Sequence, residues 1–488
     1  MLHIFSNSQI VDLERLTIGR GTTELELMVR AARSYCTWIG GLVPPTQHID
    51  VLCGKSNNGA DGLHISKLLY MSGYRVRVLL IDSDAYSPAN QKIQEQLYER
   101  GEIEIITIKE AEDITNLSKV NILIDALLGL GVNRPLKGSL AQIVKKCNDL
   151  YEDIYAVDLP SGLGEFTTKG DIVMNCASTL SFELPKKALL NPDNITFSGN
   201  WFYRSIGIYL DNLTNFYTNT FLVVRNDITR KLIGRKINIH KGQLGRVLHI
   251  INDAHMFGAG VISALASMSA GVGITYGLTI SRGKIMVPEI AWIVDLTDNI
   301  LKKIDVISIG PGLGLSRDAE VILDKVLSTK GVKLVLDADA LNVISQKGWI
   351  DRLPPRSIIT PHIGEFKNLF GDISDHRQRI EEQRNQCVNR GIYIVLKGPY
   401  TSVGTPEGNI YYVTQGSPAL AKGGTGDVLT GVIASLLAQG MDEEEASYVG
   451  TYIHGLAGKL YSLDHHEATL TPLRLIDYID KALLNLTQ

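Results

Sequence analysis

Apolar residues follow two alternating patterns along the chain, and together these patterns predict an α/β protein. Residues 8–40 carry apolar side chains at helical spacing. Short apolar runs at 49–54 and 74–81 read as strands, and a helical segment at about 63–71 separates them. Because strand, helix and strand follow one another, we predict βαβ units in a parallel sheet, with ligand contacts at the carboxyl ends of the strands.

The same alternation begins again after a polar and basic stretch at 223–236. Its basic residues include Arg225, Arg230, Lys231, Arg235 and Lys236. We therefore place a domain boundary near residue 222 and predict two α/β sandwiches, at 1–222 and 223–488.

Composition limits the classes of function. Of the 488 residues 44% are hydrophobic and 20% are charged, which is typical of a globular protein with ample core material. A net charge of −4 argues against a general binder of nucleic acid or acidic membranes. The five cysteines are scattered without a C-x-x-C pair, which favours buried free thiols in a reducing compartment over disulfides or a zinc site.

Two further features bear on location. The first residues lack a basic region followed by an apolar core, so they do not predict a signal peptide. The uncharged segment 254–281 is long enough to span a bilayer, but its many Gly, Ser and Ala residues favour a buried helix followed by a buried strand. We expect a cytoplasmic protein that does not contact membranes.

Polar groups follow three strands of the first half. The segment 55–62, read as a loop, offers two Asn amides and Asp61 between glycines instead of a G-x-G-x-x-G fingerprint. Asp125 ends a second strand, and Asp158 with Ser161 ends a third. In a parallel sheet these groups converge on one cleft, where their oxygens suit a hard cation. The alternative is that each Asp only caps its own loop.

The stretch 416–431 reads G-S-P-A-L-A-K-G-G-T-G-D-V-L-T-G and leads into an apolar helix. Glycines and a helix start suit a bound phosphate. Asp427 falls in the first turn, where the helix dipole is expected to favour its ionised form, and it is a candidate base for phosphoryl chemistry. The alternative is a Gly-rich turn in which Asp427 is an ordinary N-cap.

Other strand ends of the second half also carry polar groups. A strand at 307–309 runs into a glycine loop, and the strand at 333–336 is followed by D-A-D-A-L-N. His362 and Lys397 lie just past two later strands, and a hairpin is predicted after Lys397. The alternatives are a structural role for His362 and a solvated loop charge for Lys397.

Several motifs of the first half, over about residues 1–220, together resemble the epimerase domain of the NAD(P)H-hydrate repair enzymes. They are N-N-G-A-D-G at 57–62, D-A-L-L-G-L-G at 125–131, D-L-P-S-G-L at 158–163 and F-E-L-P-K at 182–186. The resemblance implies a Rossmann-like three-layer α/β/α domain in which Asp158 contacts the substrate, and we take Asp158 as the candidate acid/base group. It also implies K⁺ bound by Asn58, Asp125 and Ser161. The implied substrate-binding residues are Asn57, Asn58, Gly59, Ala60, Asp61, Gly129, Leu130, Gly131, Val132, Asn133, Arg134, Pro135 and Asp158.

Three positions depart from the pattern of that family. It usually has Gly where Ser56 and Ala60 stand, and Asp where Gly164 stands. Ala60 adds a methyl group and restricts φ in a segment expected to face phosphate. A first half that binds ligand but has lost activity therefore remains an alternative.

Six motifs over about residues 226–488 resemble the dehydratase domain of the same repair system, which implies a C-terminal ribokinase-like α/β/α domain. They are H-K-G-Q-L-G-R at 240–246, G-P-G-L-G at 310–314, D-A-D-A-L-N at 337–342, T-P-H-I-G-E at 360–365, L-K-G-P-Y-T at 396–401 and G-G-T-G-D-V-L-T-G at 423–431. The implied nucleotide-binding residues are Lys397, Gly398, Pro399, Tyr400, Thr401, Gly424, Thr425 and Gly426, and those facing the hydrated substrate are Gly314, His362 and Asp427.

The two resemblances together imply one repair activity acting on NADHX and NADPHX, the hydrates of NADH and NADPH. The first domain would interconvert the R and S hydrates, and the second would dehydrate the S hydrate with Mg²⁺ and ADP, giving AMP and phosphate. ADP is favoured over ATP because fused members of the family typically use it, and the family implies a homo-oligomer. A small-molecule kinase is the rival interpretation, since it would share the phosphate-binding motifs and accumulate a phosphorylated product.

Overall fold

Two sheets, each with helices against it, organise the chain into two units. The computed structural model describes residues 1–210, 216–232, 234, 237–253, 255–279 and 287–488, so Arg235, Lys236 and the ends of the uncharged segment (254, 280 and 281) lie outside the described residues. The N-terminal unit is Ile4–Thr218, and the C-terminal unit is Met1–His3 with Asn219–Gln488. The first strand, β1 (Leu2–His3), belongs to the C-terminal unit.

In the N-terminal unit, seven parallel strands are present within the described residues. They are β2 (His48–Cys53), β3 (Arg75–Ile81), β4 (Glu104–Ile108), β5 (Ile122–Ala126), β6 (Asp153–Val157), β7 (Ser178–Phe182) and β8 (Asn200–Arg204), in the order β4-β3-β2-β5-β6-β7-β8. The helices are α1 (Asn7–Gly19), α2 (Glu24–Ile39), α3 (Asn57–Met71), α4 (Pro88–Arg100), α5 (Ala111–Thr115), α6 (Gly138–Leu150) and α7 (Ile195–Ser198).

Residues of β2 alternate between two apolar layers, as a parallel sheet covered on both faces requires. Leu52 packs into a cluster with residues of α5 and α6. On the other face Gly62 of α3 lies so close to Val51 and Cys53 that an added Cβ would be 2.9 Å from the Cys53 sulfur. The predicted strands at 49–54 and 74–81 are confirmed as β2 and β3.

The start of α3 differs from the sequence prediction. Residues 57–62 were expected to form a loop, with the helix beginning near 63; this was wrong, because α3 begins at Asn57. Gly59 permits this early start. A Cβ at that position would lie 1.8 Å from the Gly54 carbonyl oxygen, so only glycine lets the first helical turn pack on the end of β2.

The C-terminal unit contains ten further strands and ten further helices among the described residues. The strands are β9 (Thr220–Leu222), β10 (Arg246–Ile250), β11 (Ile274–Leu278), β12 (Ala291–Ile293), β13 (Val306–Ile309), β14 (Lys333–Leu336), β15 (Ile358–Ile359), β16 (Tyr393–Leu396), β17 (Thr401–Gly404) and β18 (Ile410–Val413). The helices are α8 (Arg225–Thr229), α9 (Phe257–Ser269), α10 (Asp298–Leu301), α11 (Arg317–Leu327), α12 (Ala338–Lys347), α13 (Ile363–Phe370), α14 (His376–Arg390), α15 (Thr425–Ala438), α16 (Glu443–Asp464) and α17 (Pro472–Thr487).

Together with β1, the ten strands from β9 to β18 form one sheet of eleven strands among the residues that the structure describes. Its order is β1-β9-β18-β17-β16-β15-β14-β13-β10-β11-β12. From β12 to β16 all neighbours are parallel, and β16, β17 and β18 form an antiparallel series. The hairpin predicted after Lys397 is confirmed as β17 and β18.

The two faces of this sheet carry separate apolar clusters, so the C-terminal unit is a three-layer sandwich. Val306 and Val335 pack with residues of α15, α16 and α17. Their neighbours Ile307 and Leu334 pack with residues of α11 and α12 on the other face. This period of two is the one expected of a sheet covered by helices on both sides.

Two smaller predictions are confirmed in the part of the chain that the structure describes. The uncharged segment contains the helix α9 followed by the strand β11, and no described helix is long and apolar enough to cross a membrane. All five cysteines are free, and four of them are buried.

A buried ion pair joins β2 to β3 in the N-terminal unit. Arg77 donates to both carboxylate oxygens of Asp50, at 2.9 and 2.7 Å, and Tyr151 donates its hydroxyl to the same carboxylate at 2.7 Å. Both side chains of the pair are almost fully buried. Removal of Asp50 would leave the Arg77 charge in a place that water does not reach.

We expect Asp50→Ala to lower the free energy of unfolding of the N-terminal unit by about 3–5 kcal/mol, the usual cost of breaking a buried pair. Urea unfolding of the full chain measures this effect. Asp12→Ala is the matched control, because it removes an exposed partner of Arg15 and should cost less than about 1 kcal/mol. Equal losses in the two variants would contradict this account.

Candidate active sites

The carboxyl ends of β2, β5 and β6 line a cleft of about 1050 Å³ in the N-terminal unit. The sequence-predicted residues that line this cleft are Asn57, Asn58, Asp61, Gly129, Leu130, Gly131, Val132, Asn133, Arg134, Pro135 and Asp158. Gly59 and Ala60 do not line it and are buried. The convergence expected from a parallel sheet is therefore present, and these groups surround a space large enough for a sizeable ligand.

Asp158 lies at the end of β6 in an unusual backbone conformation. Its φ is 67°, a left-handed value that costs energy for a residue other than glycine. One carboxylate oxygen accepts hydrogen bonds from the Phe182 amide at 2.9 Å and from the Lys186 ammonium. The backbone strain and the bonds from the end of β7 fix the direction in which this carboxylate points.

Lys186 was not predicted as a site residue, although it ends the F-E-L-P-K motif. It is 1% exposed, forms an ion pair with Asp158, and also donates to the Phe182 carbonyl at 2.8 Å. A lysine is rarely this buried without a partner. The motif could have marked Lys186 as a site residue. Its pairing with Asp158 could not be read from the motif, because Asp158 stands 28 positions earlier in the chain.

Further carboxyl groups give this cleft an unusual acid/base character. Burial, followed by the charge of Asp158, raises the pKa of Glu14 to about 7. Burial and the charges of Asp158 and Glu14 raise the pKa of Asp61 well above its ordinary value. Side chains in this cleft can therefore hold a proton at neutral pH, as general acid catalysis requires. Glu14 belongs to α1 and was not singled out by any sequence motif.

The three residues predicted to hold K⁺ carry carboxylate, hydroxyl and amide oxygens, and Asn58 lines the cleft. Asp125 is fully buried and accepts hydrogen bonds from the Ser161 amide at 2.7 Å and the Ser161 hydroxyl at 2.6 Å. Burial raises the pKa of Asp125 to about 6, although the bonds from Ser161 oppose the shift. The Asn58 amide nitrogen is buried without a hydrogen-bond partner. The donor set of carboxylate, hydroxyl and amide oxygens fits a hard monovalent cation.

The C-terminal unit places the Gly-rich stretch at the start of α15, as predicted. Gly424 is the N-cap, with φ 90°, and Asp427 lies in the first turn. Thr425 donates its hydroxyl to the Leu420 carbonyl at 2.8 Å, and the buried His454 ring lies 2.8 Å from the Thr425 carbonyl. Because burial lowers the pKa of His454 to about 4, the ring is neutral and donates this bond. These bonds hold the turn in one conformation.

Asp337 connects α15 to Lys397, which lies at the end of β16. It is almost fully buried and accepts hydrogen bonds from the Lys397 ammonium and from the Thr430 hydroxyl, both at 2.7 Å. The Thr430 hydroxyl is also 3.1 Å from the Gly426 carbonyl, so the network reaches the Gly-rich turn itself. The D-A-D-A-L-N motif predicted polar residues at this strand end. It did not predict that Asp337 is the residue to which both Lys397 and Thr430 donate hydrogen bonds.

The ionisation expected for Asp427 was wrong. The helix start was expected to favour the charged form, yet the pKa of Asp427 is raised to about 7. Burial is the largest cause, and the negative charge of Asp337 adds to it, while Lys397 opposes the shift. Desolvation and a neighbouring carboxylate therefore outweigh the attraction of the helix dipole.

His362 follows β15 and Gly314 follows β13, and β14 lies between these two strands in the sheet. The His362 ring is largely exposed, and its Nδ1 accepts from the amides of Gly364 and Glu365, at 3.0 and 3.2 Å, so it caps α13. The backbone amide of Gly314 donates to Asp339 at 2.9 Å. Gly314 has φ 76°, and a Cβ there would lie 2.5 Å from an Asp253 carboxylate oxygen. A larger residue would not fit at this position.

The remaining predicted nucleotide-binding residues follow Lys397 in the turn before β17. The Thr401 hydroxyl donates to the Gly398 carbonyl at 3.3 Å, which closes this turn over Pro399 and Tyr400. Lys397 is also paired, through its backbone, with His362 at the end of β15. Lys397, His362, Asp337 and Asp427 therefore belong to one group at the carboxyl edge of the sheet.

Two family models match separate stretches of the chain. Residues 248–481 match the family model described as NAD(P)H-hydrate dehydratase, and residues 24–188 match the YjeF-related protein N-terminus. A ribokinase-like superfamily protein from Enterococcus faecalis V583 is similar in structure, with a TM-score of 0.50 and 27% identity, over 56% of this chain and 98% of that chain.

Two full-length relatives cover both units. A bifunctional NAD(P)H-hydrate repair enzyme of Coxiella burnetii is 32% identical over 481 residues, which are 94% of this chain and 94% of the relative. The enzyme of the same name from Escherichia coli K12 is also 32% identical, over 90% of this chain and 85% of the relative.

The fold and the two sites define a two-domain α/β enzyme with a ribokinase-like C-terminal unit. The extent of the match to full-length relatives makes the assignment more specific. The chain belongs to the family of bifunctional NAD(P)H-hydrate repair enzymes.

The raised pKa of Asp427 has a consequence for stability. Its folded-state pKa of about 7 lies above the unfolded value, so the carboxyl group favours folding below about pH 4 and that contribution is lost as the pH rises to about 7. We expect Asp427→Asn to stabilise the C-terminal unit relative to the wild type at pH 8, with the difference shrinking as the pH falls towards 4. Urea unfolding of the full chain at several pH values measures it.

Asp480→Asn serves as the control for this experiment, because Asp480 is exposed on α17. Its difference from the wild type should be small and should not depend on pH in this way. A pH-independent effect of Asp427→Asn would show that the carboxyl group is not held near neutrality by its surroundings.

Proposed function

We propose that this protein repairs hydrated NAD(P)H, and that the two activities divide between the two domains. Residues 1–222 epimerise the R and S hydrates, and residues 223–488 dehydrate the S hydrate at the expense of ADP. One observation carries the second assignment: Asp427, with a pKa of about 7, lies in the first turn of a helix that follows G-G-T-G. A base of this kind beside a phosphate-binding turn suits the activation of a hydroxyl group for phosphoryl transfer.

The dehydration follows from the chemistry of the hydrate, which carries a hydroxyl at C6 of the nicotinamide ring. Hydroxide is a poor leaving group, but phosphate is a good one. Asp427 takes the proton of the C6 hydroxyl group. The hydroxyl oxygen attacks the β-phosphoryl group of ADP at the same time, and AMP leaves. The C6–O bond then breaks with loss of phosphate and of a ring proton, which restores NAD(P)H.

Residues around Asp427 would assist the phosphoryl transfer. The backbone amides of Gly424, Thr425 and Gly426 are suited to the charge that develops on the phosphoryl group. Lys397, held by Asp337, adds a positive charge near the same turn. Gly314 and His362 would face the hydrated ring, while Gly398, Pro399, Tyr400 and Thr401 would contact the nucleotide.

Mg²⁺ is proposed to bind with the nucleotide. Among the described residues no group of three or more His, Cys, Asp or Glu side chains is arranged to hold a metal ion. Mg²⁺ in phosphoryl-transfer sites is commonly held by substrate phosphates with one or two carboxylates, and this donor set is compatible with the C-terminal site. When bound, the ion would neutralise phosphate charge.

The epimerase site is proposed to be the cleft around Asp158. The segments 57–61 and 129–135 would hold the dinucleotide, and Asp158 would exchange protons with the hydrate. K⁺ would be held by Asn58, Asp125 and Ser161, where it would contribute positive charge beneath the substrate. The Ser161 hydroxyl and the Asp125 carboxylate, joined by a hydrogen bond of 2.6 Å, support the proposal as two adjacent oxygen ligands.

Asp427→Asn is expected to abolish dehydration while epimerisation continues, because the amide cannot accept the proton. Wild-type and variant proteins are incubated with the S hydrate, Mg²⁺ and either ADP or ATP, and NAD(P)H is followed by its near-ultraviolet absorbance. We expect faster turnover with ADP than with ATP. Asp158→Asn is the reciprocal variant, and it should lose epimerisation of the R hydrate but retain dehydration of the S hydrate.

Two results would overturn these assignments. Dehydration by Asp427→Asn at nearly the wild-type rate would exclude Asp427 as the base. Accumulation of a phosphorylated product without NAD(P)H would instead identify the C-terminal domain as a small-molecule kinase.

The K⁺ assignment predicts that epimerisation depends on the cation present. Replacing K⁺ by Li⁺ at constant ionic strength should slow the wild type, because Li⁺ is too small for the same ligands. Asp125→Asn should weaken the response to K⁺ by removing a charged ligand. An epimerisation rate that is the same in both salts would contradict the assignment.

A further inference from the structure

Epimerisation at C6 needs two groups that handle protons, and Asp158 is only one of them. To invert C6, the hydroxyl must leave from one face of the ring and water must return to the other. The first step needs a proton donor and the second needs a proton acceptor. The assignment of a proton donor rests on the proposed epimerase function of this cleft.

Asp158 is suited to accept a proton rather than to donate one. Its carboxylate forms an ion pair with the buried Lys186 and accepts a hydrogen bond from the Phe182 amide. In both interactions the Asp158 carboxylate is the hydrogen-bond acceptor. A second carboxyl group is needed for the opposite role.

Glu14 lines the same cleft as Asp158, and it approaches from α1 instead of from a strand end. The end of α1 is held in place beyond it. Thr17, one turn later, is buried and accepts a hydrogen bond from the Tyr209 amide at 2.9 Å, and Arg20 stacks on the Tyr209 ring at 3.6 Å. The carboxyl group of Glu14 is thus presented to the cleft by a helix that is fixed at this end.

We propose that Glu14 is the proton donor of the epimerase and that it acts together with Asp158 as the proton acceptor. The Glu14 carboxylic acid protonates the C6 hydroxyl. The C6–O bond breaks with its electron pair leaving on water, and the N1 lone pair forms the N1=C6 bond of an iminium. Water then adds to the other face of C6, and Asp158 takes the released proton. Exchange with solvent returns Glu14 and Asp158 to their starting states, and the reverse reaction exchanges their roles.

The charges around Glu14 support the protonated form. Burial and the charge of Asp158 raise the pKa of Glu14 to about 7; Lys186 opposes this shift and Glu24 adds to it. Asp61, whose pKa Glu14 in turn helps to raise, faces it from α3. Lys55, Arg134 and Lys137 line other parts of the cleft. A large part of the Glu14 population is therefore protonated at neutral pH.

Glu14→Gln is the variant that tests this role, because it preserves the shape of the side chain but cannot release a proton. Purified R hydrate is supplied, and formation of the S hydrate is followed by chromatography after subtraction of the enzyme-free rate. We expect kcat to fall by about 10²-fold or more, with little change in KM. Asp12→Asn is the matched control, since Asp12 is an exposed carboxylate on the same helix.

Dehydration of the S hydrate, measured in the same preparations, is expected to be unchanged in Glu14→Gln. The wild-type kcat for epimerisation should fall as the pH rises through about 7, because Glu14 then loses its proton. Glu14→Asp, which keeps an acid, should retain this decline together with part of the activity.

Either of two results would overturn the role of Glu14: epimerisation by Glu14→Gln within twofold of the wild type, or a wild-type kcat that stays constant from pH 6 to pH 9. The pH profile of the wild type decides the question even if Glu14→Gln fails to fold. Absence of epimerisation in the wild type would instead count against the proposed function of the cleft.

Discussion

A buried aspartate paired with a lysine is the interaction on which each of the two sites depends. In the N-terminal unit the pair is Asp158 with Lys186, and in the C-terminal unit it is Asp337 with Lys397. Each pair lies beside a second carboxyl group whose pKa is raised to about 7, Glu14 in one case and Asp427 in the other. A carboxyl group that titrates near neutrality can both give and accept protons at the pH of the cell.

Burial is the largest cause of both raised pKa values, and the charge of the paired aspartate adds to it. Water is largely excluded, so the charge of the paired aspartate is poorly screened and disfavours a second negative charge nearby. The lysine limits the cost of burying the aspartate. Since ionisation of Glu14 or Asp427 is unfavourable in the folded protein, each site lowers stability at neutral pH.

Local sequence patterns predicted the strands and their polar ends well, because both depend on neighbouring residues. The βαβ order, the hairpin after Lys397 and the position of Asp427 in a first helical turn were all predicted correctly. The features that were missed depend on distant contacts. The early start of α3 requires the approach of Gly59 to Gly54, and the pKa of Asp427 depends on Asp337, which is 90 positions earlier. Glu14 lies in no motif at all, and only the fold brings it to the cleft.

The departures from the family pattern around the cleft have a physical explanation in this chain. Ala60 lies inside α3, and its amide donates to the Ser56 carbonyl at 3.1 Å, so its helical backbone suits alanine as well as glycine. Ser56 itself is an extended N-cap, a conformation open to any residue. At Gly164 a Cβ would lie 2.3 Å from the Phe166 ring, so the aromatic side chain occupies the space that a larger residue would need. Neither Ala60 nor Gly164 lines the cleft, whereas Asp158 and Glu14 do. The substitutions therefore give no structural reason to regard the N-terminal domain as a binding module that has lost its activity.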